Sequence, residues 1–306
     1  MDNMRYGYIG LGHLGAKLAG SLLREGFALT VHDLNRDLAA PLLGAGALWA
    51  ESPKVLAASC DAVITCLPSP AVSEKVLCGA DGILAGLKRG GTWIEMSTLG
   101  RDDILRLAAL AADKGIATLE SPVTGGVHRA AAGEITVLAG GDKALFETHR
   151  PPLEAMGGEI FHMGPLGSAA VIKVITNMLA FIHLVAAGEA LMLAKRGGLD
   201  LAQVFHAIKA SSGNSFVHET ESQLILNGSY NINFTMDLAL KDLGFATGFG
   251  REFGVPLDLA ALTLKTFERA KAAYGGGAWS TQVVKLLEDA LKTDLRASGF
   301  PSELND

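Results

Sequence analysis

Apolar residues follow two different rhythms along the chain, and the change comes near residue 164. Before it, short apolar runs recur: RYGYIG (5–10), ALTVHD (28–33), DAVITCL (61–67), TWIEMS (92–97), ATLES (117–121), ITVLAG (135–140) and EIFHMG (159–164). Most are nearly continuous rather than alternating, as strands covered on both faces of a parallel sheet are. Helix-like segments occupy the intervals 14–25, 53–59, 70–77, 101–114 and 142–155. This alternation predicts a doubly wound α/β domain. After Gly164 no strand pattern of comparable strength returns. Segments 168–196, 200–210, 214–227, 235–253, 256–274 and 279–295 read as helices, separated by breaks such as GGLD, SSGN, NGSYN and YGGG. The polar end ASGFPSELND reads as a loose tail.

Composition narrows the class without changing this picture. A length of 306 residues suits two domains, and 49% apolar against 19% charged residues is ample for a core. With a net charge of −6 and no Lys/Arg-rich run, nucleic acid is not an expected partner. Cys60, Cys66 and Cys78 form no CxxC pair, and no HxxxH or HExxH occurs. That excludes a disulfide scaffold and a catalytic metal, and fits a reduced, cytoplasmic protein. The apolar stretch 171–194 is long enough to span a bilayer, but Lys173, Asn177, His183 and Glu189 interrupt it. A buried helix of a soluble protein is expected there, with no membrane partner. The N-terminus lacks the features of a signal peptide.

Chemistry enters at Gly10-Leu11-Gly12-His13-Leu14-Gly15, between the first strand and the first helix. Gly10 permits a tight turn, Gly12 lets the backbone approach a pyrophosphate, and Gly15 lets the helix pack on the strand. Asp33 ends the next strand, placed to accept from the ribose hydroxyls of an adenosine half and to repel a 2′-phosphate. These features make the first domain Rossmann-type and its cofactor NAD, with NADP as the second option. Arg36, three residues on, could pair with Asp33 or soften the repulsion. Leu67-Pro68 and Ser97-Thr98 follow two later strands, on the sheet edge where ligands bind. Glu120-Ser121-Pro122-Val123-Thr124-Gly125-Gly126 offers a hydroxyl and consecutive backbone N–H groups, a cradle for a small carboxylate. Lys173 and Asn177 stand four apart in the long apolar helix, hence on one face. Desolvation there is expected to lower the lysine pKa, as an acid/base acting on an alcohol requires. Each element has a plain structural reading as well: a turn, a loop, a snorkelling lysine. Lys241-Asp242 could equally be a surface ion pair.

Together GLGHLG, the LP loop, MST, SPVTGG, GPLGSAAVIKVITN and LKDLG stand in the order and at the intervals of the β-hydroxyacid dehydrogenase family. The chain resembles that family over residues 5–295, in particular 3-hydroxyisobutyrate dehydrogenases and tartronate semialdehyde (2-hydroxy-3-oxopropionate) reductases. The resemblance implies that Lys173 is the catalytic lysine and Asn177 the amide that helps hold the substrate. It implies that Thr124, Gly125 and Gly126 bind the substrate carboxylate and that Lys241 lies near nicotinamide and substrate. Leu67, Pro68 and Thr98 match cofactor contacts, beside Gly10, Leu11, Gly12, His13, Leu14, Gly15, Asp33 and Ser97. Departures fall at Glu120-Ser121 (usually Asp-Ala), Thr124 (usually Ser), Ala169 and Thr176.

The expectation is an NAD-binding Rossmann-type domain, 1–164, and an all-helical domain, 165–306, with the active site in the cleft between them. The enzyme would interconvert a short-chain 3-hydroxy carboxylic acid and its semialdehyde or ketone by hydride transfer. Its apolar helical domain suggests a homodimer or homotetramer. A non-catalytic dinucleotide-binding module, an imine-reducing enzyme of the same fold and a 6-phosphogluconate dehydrogenase are the alternatives.

Overall fold

The computed structural model describes residues 4–304 and divides the chain into two compact units, 1–173 and 174–306. Among the described residues the first unit holds nine strands in one sheet: β1 Tyr6–Ile9, β2 Leu29–His32, β3 Leu48–Trp49, β4 Ala62–Thr65, β5 Thr92–Glu95, β6 Ala117–Glu120, β7 Val123–Thr124, β8 Ile135–Gly140 and β9 Gly157–Gly164. Their order begins β3-β2-β1-β4-β5-β6, all parallel. Then β8 runs antiparallel to β6 and β7, and β9 lies parallel to β8. The connection from β7 to β8 is too short for a parallel crossover, which forces the reversal.

Among the described residues eight α-helices belong wholly to this unit: α1 Gly15–Arg24, α2 Ala40–Gly44, α3 Pro53–Ala58, α4 Pro70–Cys78, α5 Arg101–Asp113, α6 Val127–Ala132, α7 Lys143–Thr148 and α8 Arg150–Met156. Alternate strand residues feed two separate cores. Tyr8, Ile64 and Ile94 pack with Leu18 and Leu22 of α1, whereas Ile9, Val63 and Trp93 pack with Leu56, Leu77 and Leu107 of α3, α4 and α5. Burial on both faces explains why those strands read as continuous apolar runs. Ser52 and Ser69 each accept a backbone N–H at the start of α3 and α4, followed by Pro53 and Pro70 in the first turn.

The helix α9, Ser168–Arg196, runs through the division between the units and keeps the bounds its periodicity predicts. The second unit adds α10 Leu201–Lys209, α11 Phe216–Asn227, α12 Met236–Phe253, α13 Asp258–Tyr274 and α14 Lys285–Leu291. Its core joins Phe181, Leu184, Leu191, Phe205, Leu243 and Phe267. Phe234 packs at its edge, and Ser215 caps α11.

Several expectations need correction. The span 142–155 is two helices, because Pro151 and Pro152 restart the chain after His149. The span 279–295 opens with a 3₁₀ turn, Ser280–Val284, before α14. The short elements β3, β7, α2 and α6 lie outside the predicted set. The tail is anchored: the Leu295 side chain is buried, Ala297 N–H donates to Leu226 O, and Phe300 meets the Phe205 ring edge-on. Its last two residues, 305–306, lie outside the described residues. The 171–194 stretch is not a fully buried helix, since only 33% of the most apolar window of α9 is covered within the protomer. Cys60 is buried, Cys66 half-buried and Cys78 exposed.

Candidate active site

The glycine loop leaves β1 at Gly10, whose φ of +99° suits glycine. A Cβ at Gly10 would strike the Cys66 carbonyl, and one at Gly15 would strike the carbonyl of Gly10. The Cβ position of Gly12, by contrast, meets nothing within 4 Å. Two glycines therefore close the turn and the third leaves a bare, open backbone, which fits a dinucleotide pyrophosphate at the start of α1. Leu11 is core, and its N–H donates to Asp33 Oδ2 at 2.7 Å. The other oxygen of Asp33 accepts from Asn35 N–H at 2.8 Å, so the carboxylate is fixed from both sides. His13 is exposed and Leu14 half-buried. Arg36 does not pair with Asp33: it reaches Glu51 at 3.6 Å and lies over the Trp49 ring. Leu34, beside Asp33, is 96% exposed and offers an apolar surface that the sequence reading passed over.

The two later strand-end loops are tied together from below. Ser97 N–H donates to Glu95 Oε1 at 2.7 Å, and Ser97 Oγ accepts from Leu67 N–H at 2.7 Å. Ser97 is buried and holds the Leu67-Pro68 loop, whereas Leu67 and Thr98 are half-buried and Pro68 is exposed. Burial pushes the Glu95 carboxyl up to about 7, against the pull of its bonds from Ser97. Its second oxygen has no partner, and neither has the buried Tyr8 hydroxyl. Burial, then the field of Glu95, pushes the Cys66 thiol up to about 12, and Lys173 acts in the opposite sense. Cys66 thus lies within the fields of both Glu95 and Lys173.

At the end of β6 the Glu120 side chain is buried, and its carboxylate accepts three backbone N–H groups from the start of α9. Gly167 and Ala169 donate to Oε1 at 2.5 and 3.0 Å, and Ala170 to Oε2 at 3.0 Å. Burial raises its pKa, and these three bonds oppose the rise. Beyond β6, Thr124 pairs with Thr136 across β7 and β8, and leads into Gly125 and Gly126 at φ +125° and +92°. Side chains at either glycine would be strained, and their Cβ atoms would press on Arg129 and on His128.

Lys173 and Asn177 are each 8% exposed, one turn apart on α9. Asn177 Nδ2 donates to Asp242 Oδ2 at 2.6 Å, and Lys241 Nζ donates to Asp242 Oδ1 at 2.7 Å. Asp242 is fully buried, so Lys241-Asp242 is not a surface pair. Lys241 Nζ also lies over the Phe245 ring. Asp242 orients both Asn177 and Lys241, a role the sequence reading missed although the acid adjoins Lys241. Glu95 was missed too, and Glu120 was named only as the start of the Glu120–Gly126 loop, without its bonds to α9. Their signal was a carboxylate closing an otherwise apolar strand, in TWIEMS and ATLES. Among the described residues no group of three His, Cys, Asp or Glu could hold a metal.

The chain is similar to known proteins over nearly its whole length. Residues 5–164 match the family model for the NAD-binding domain of 6-phosphogluconate dehydrogenase. Residues 167–287 match the one described as NAD-binding of NADP-dependent 3-hydroxyisobutyrate dehydrogenase. The chain is 34% identical to 2-(hydroxymethyl)glutarate dehydrogenase of Eubacterium barkeri, over 94% of this chain and 95% of that protein. It is 34% identical to an L-threonate dehydrogenase of Cupriavidus necator, over 92% and 95% respectively. Among solved structures it resembles 3-hydroxyisobutyrate dehydrogenase from Salmonella typhimurium, with TM-score 0.86, 32% identity, and coverage of 92% of this chain and 99% of that one.

Proposed function

The chain belongs to the β-hydroxyacid dehydrogenase family and is an NAD-dependent oxidoreductase of 3-hydroxy acids, and from that premise we propose how its residues share the work. Lys173 is the general acid/base: in oxidation its neutral Nζ takes the hydroxyl proton, and in reduction its ammonium returns it. Asn177, held by Asp242, orients the reacting oxygen. Thr124, Gly125 and Gly126 grip the carboxylate through a hydroxyl and backbone N–H groups. Lys241, held by the same Asp242, stands at the substrate and nicotinamide. NAD, when bound, exchanges a hydride with the carbinol carbon. Gly10, Leu11, Gly12, His13, Leu14 and Gly15 hold its pyrophosphate, Asp33 its adenosine ribose, and Leu67, Pro68, Ser97 and Thr98 its nicotinamide half.

The observation that carries this reading is the burial of a lysine and a polar amide one turn apart on a single helix, with the amide locked onto a fully buried aspartate. A scaffold that only binds dinucleotide needs neither. Small 3-hydroxy acids or semialdehydes are the substrates, and the protein works in the cytoplasm, without membrane or nucleic acid. It assembles as a homodimer or homotetramer through the uncovered apolar face of α9, where Leu179 is 44% and Leu193 76% exposed. Following NADH oxidation with a panel of small semialdehydes, and NAD reduction with 3-hydroxy acids, tests the activity. Tight NADH binding without turnover across both panels would favour the non-catalytic module.

A further inference from the structure

The register of the sheet sets Glu95 directly opposite Glu120, on neighbouring strands. Both residues border one gap too narrow for water, together with Ser97, Pro122 and Ala170. They are held in different ways. Glu95 is bonded to the loop after its own strand, whereas Glu120 turns to the first residues of α9. An α-helix begins with four N–H groups that no carbonyl of its own can reach, and it carries a partial positive charge at that end. A cap normally comes from the residue just before the helix. Here it comes from a strand 47 to 50 residues earlier in the chain, and it takes three N–H groups at once.

Room for the carboxylate is built into the sheet. A Cβ on Gly140, in the adjacent strand β8, would strike Glu120 Oε1. Lys173 follows Ala169 by four residues, one turn along the same helix. Whatever fixes the height and rotation of the Gly167–Ala170 turn also fixes where Lys173 stands.

We infer that Glu120 is a positioning residue for Lys173: its carboxylate anchors the first turn of α9 to β6 and offsets the positive end of that helix. The inference rests on Lys173 being the general acid/base. Glu120 touches neither substrate nor cofactor in this role, and acts only through α9.

The test compares Glu120→Gln, Glu120→Asp and Lys173→Ala with the wild type. It measures NADH affinity by fluorescence titration, kcat and KM, the pH profile of kcat/KM, and the thermal midpoint. In Glu120→Gln an amide NH₂ replaces one oxygen and faces a backbone N–H, donor to donor. The turn must shift, and a misplacement of about 1 Å can cost roughly 10²-fold in rate. The expected result is kcat lower by about 10- to 100-fold, with NADH affinity within about twofold of wild type. The lysine limb of the pH profile moves to lower pH, because an uncompensated helix N-terminus disfavours a nearby ammonium. Glu120→Asp keeps the charge on a shorter side chain, so its limb returns to the wild-type position while kcat stays intermediate. Wild-type kcat with an unmoved limb in Glu120→Gln would overturn the inference. So would a parallel loss of kcat and NADH affinity with the limb unmoved, which marks general loosening. If Glu120→Gln does not fold, Glu120→Asp decides: it must lose kcat while keeping NADH affinity. Lys173→Ala separates the two levels, since wild-type kcat there defeats the acid/base reading itself. An inactive Lys173→Ala beside an unaffected Glu120→Gln defeats only the positioning role.

Discussion

A lysine removed from water is useful to this chemistry only if its proton can come and go near neutral pH. Lys173 is 8% exposed, and its charge is felt at the Cys66 thiol. Lys173→Ala is expected to fold and bind NADH while losing about 10²- to 10⁴-fold in kcat. Lys173→Arg should not restore activity, because a guanidinium does not give up its proton. Steady-state kinetics on both variants check this, and near-normal kcat in either one refutes the assigned role. The Glu95 carboxyl supplies a second residue-scale expectation, in stability. Its pKa is raised to about 7 by burial, so the folded chain holds that proton more tightly than the unfolded one. The stabilising contribution is complete below the ordinary carboxylate range and is lost as pH rises through about 7. Glu95→Gln cannot ionise and keeps an acceptor for Ser97. Denaturant titrations should show it gaining on the wild type between pH 5 and 8, by up to about 3 kcal/mol. A constant difference over that range would mean that Glu95 does not titrate there.

At the scale of elements, the binding features proposed for the sheet are strand ends followed by turns that glycine or a short polar contact makes possible. In the turn after β7, Gly125 and Gly126 adopt φ values that a branched side chain resists. Gly125→Val should raise KM for the hydroxy acid far more than it weakens NADH binding, since the dinucleotide loop lies at the end of β1. Equal reaction of an acid and its uncharged amide in the wild type would remove the carboxylate from the argument. At the end of β2, Asp33 is braced by Leu11 and Asn35 while Arg36 is engaged with Glu51 and Trp49. Nothing in that geometry softens repulsion of a 2′-phosphate. Two like charges about 4 Å apart near a surface interact by up to about 4 kcal/mol before screening. A clear preference for NAD over NADP in kcat/KM is therefore expected, and Asp33→Asn should narrow it. Equal use of both cofactors by the wild type would show that Arg36 governs the pocket.

For the whole molecule, the exposed apolar face of α9 is the feature a lone protomer leaves unexplained. Ile175, Leu179 and Leu193 are all exposed, in a helix of 29 residues whose most apolar window is one-third covered. Sedimentation should find two or four times the protomer mass of 31.9 kDa. Leu193→Lys should shift the protein toward the protomer, and a monomeric wild type would refute this assembly.

Much of this was legible in order along the chain. Parallel strands buried on both faces must be continuously apolar, and a phosphate loop must place its glycines at set intervals. Helix bounds follow from period and from caps such as Ser69-Pro70, all local in sequence. The Lys173–Asn177 pair was legible for the same reason, since four residues make one turn. What the sequence could not settle is what happens between distant segments. Glu95 and Glu120 looked like ordinary strand ends until the register placed them side by side. Asp242 looked like half of a surface pair until α12 buried it against Asn177. The tail looked loose until Phe300 met Phe205. A buried carboxylate is tolerable only when donors meet it; those of Glu120 come from the start of α9, and Asn177 of the same helix supplies one of those of Asp242. Local pattern therefore set the elements, and packing alone decided which polar groups within them have a task.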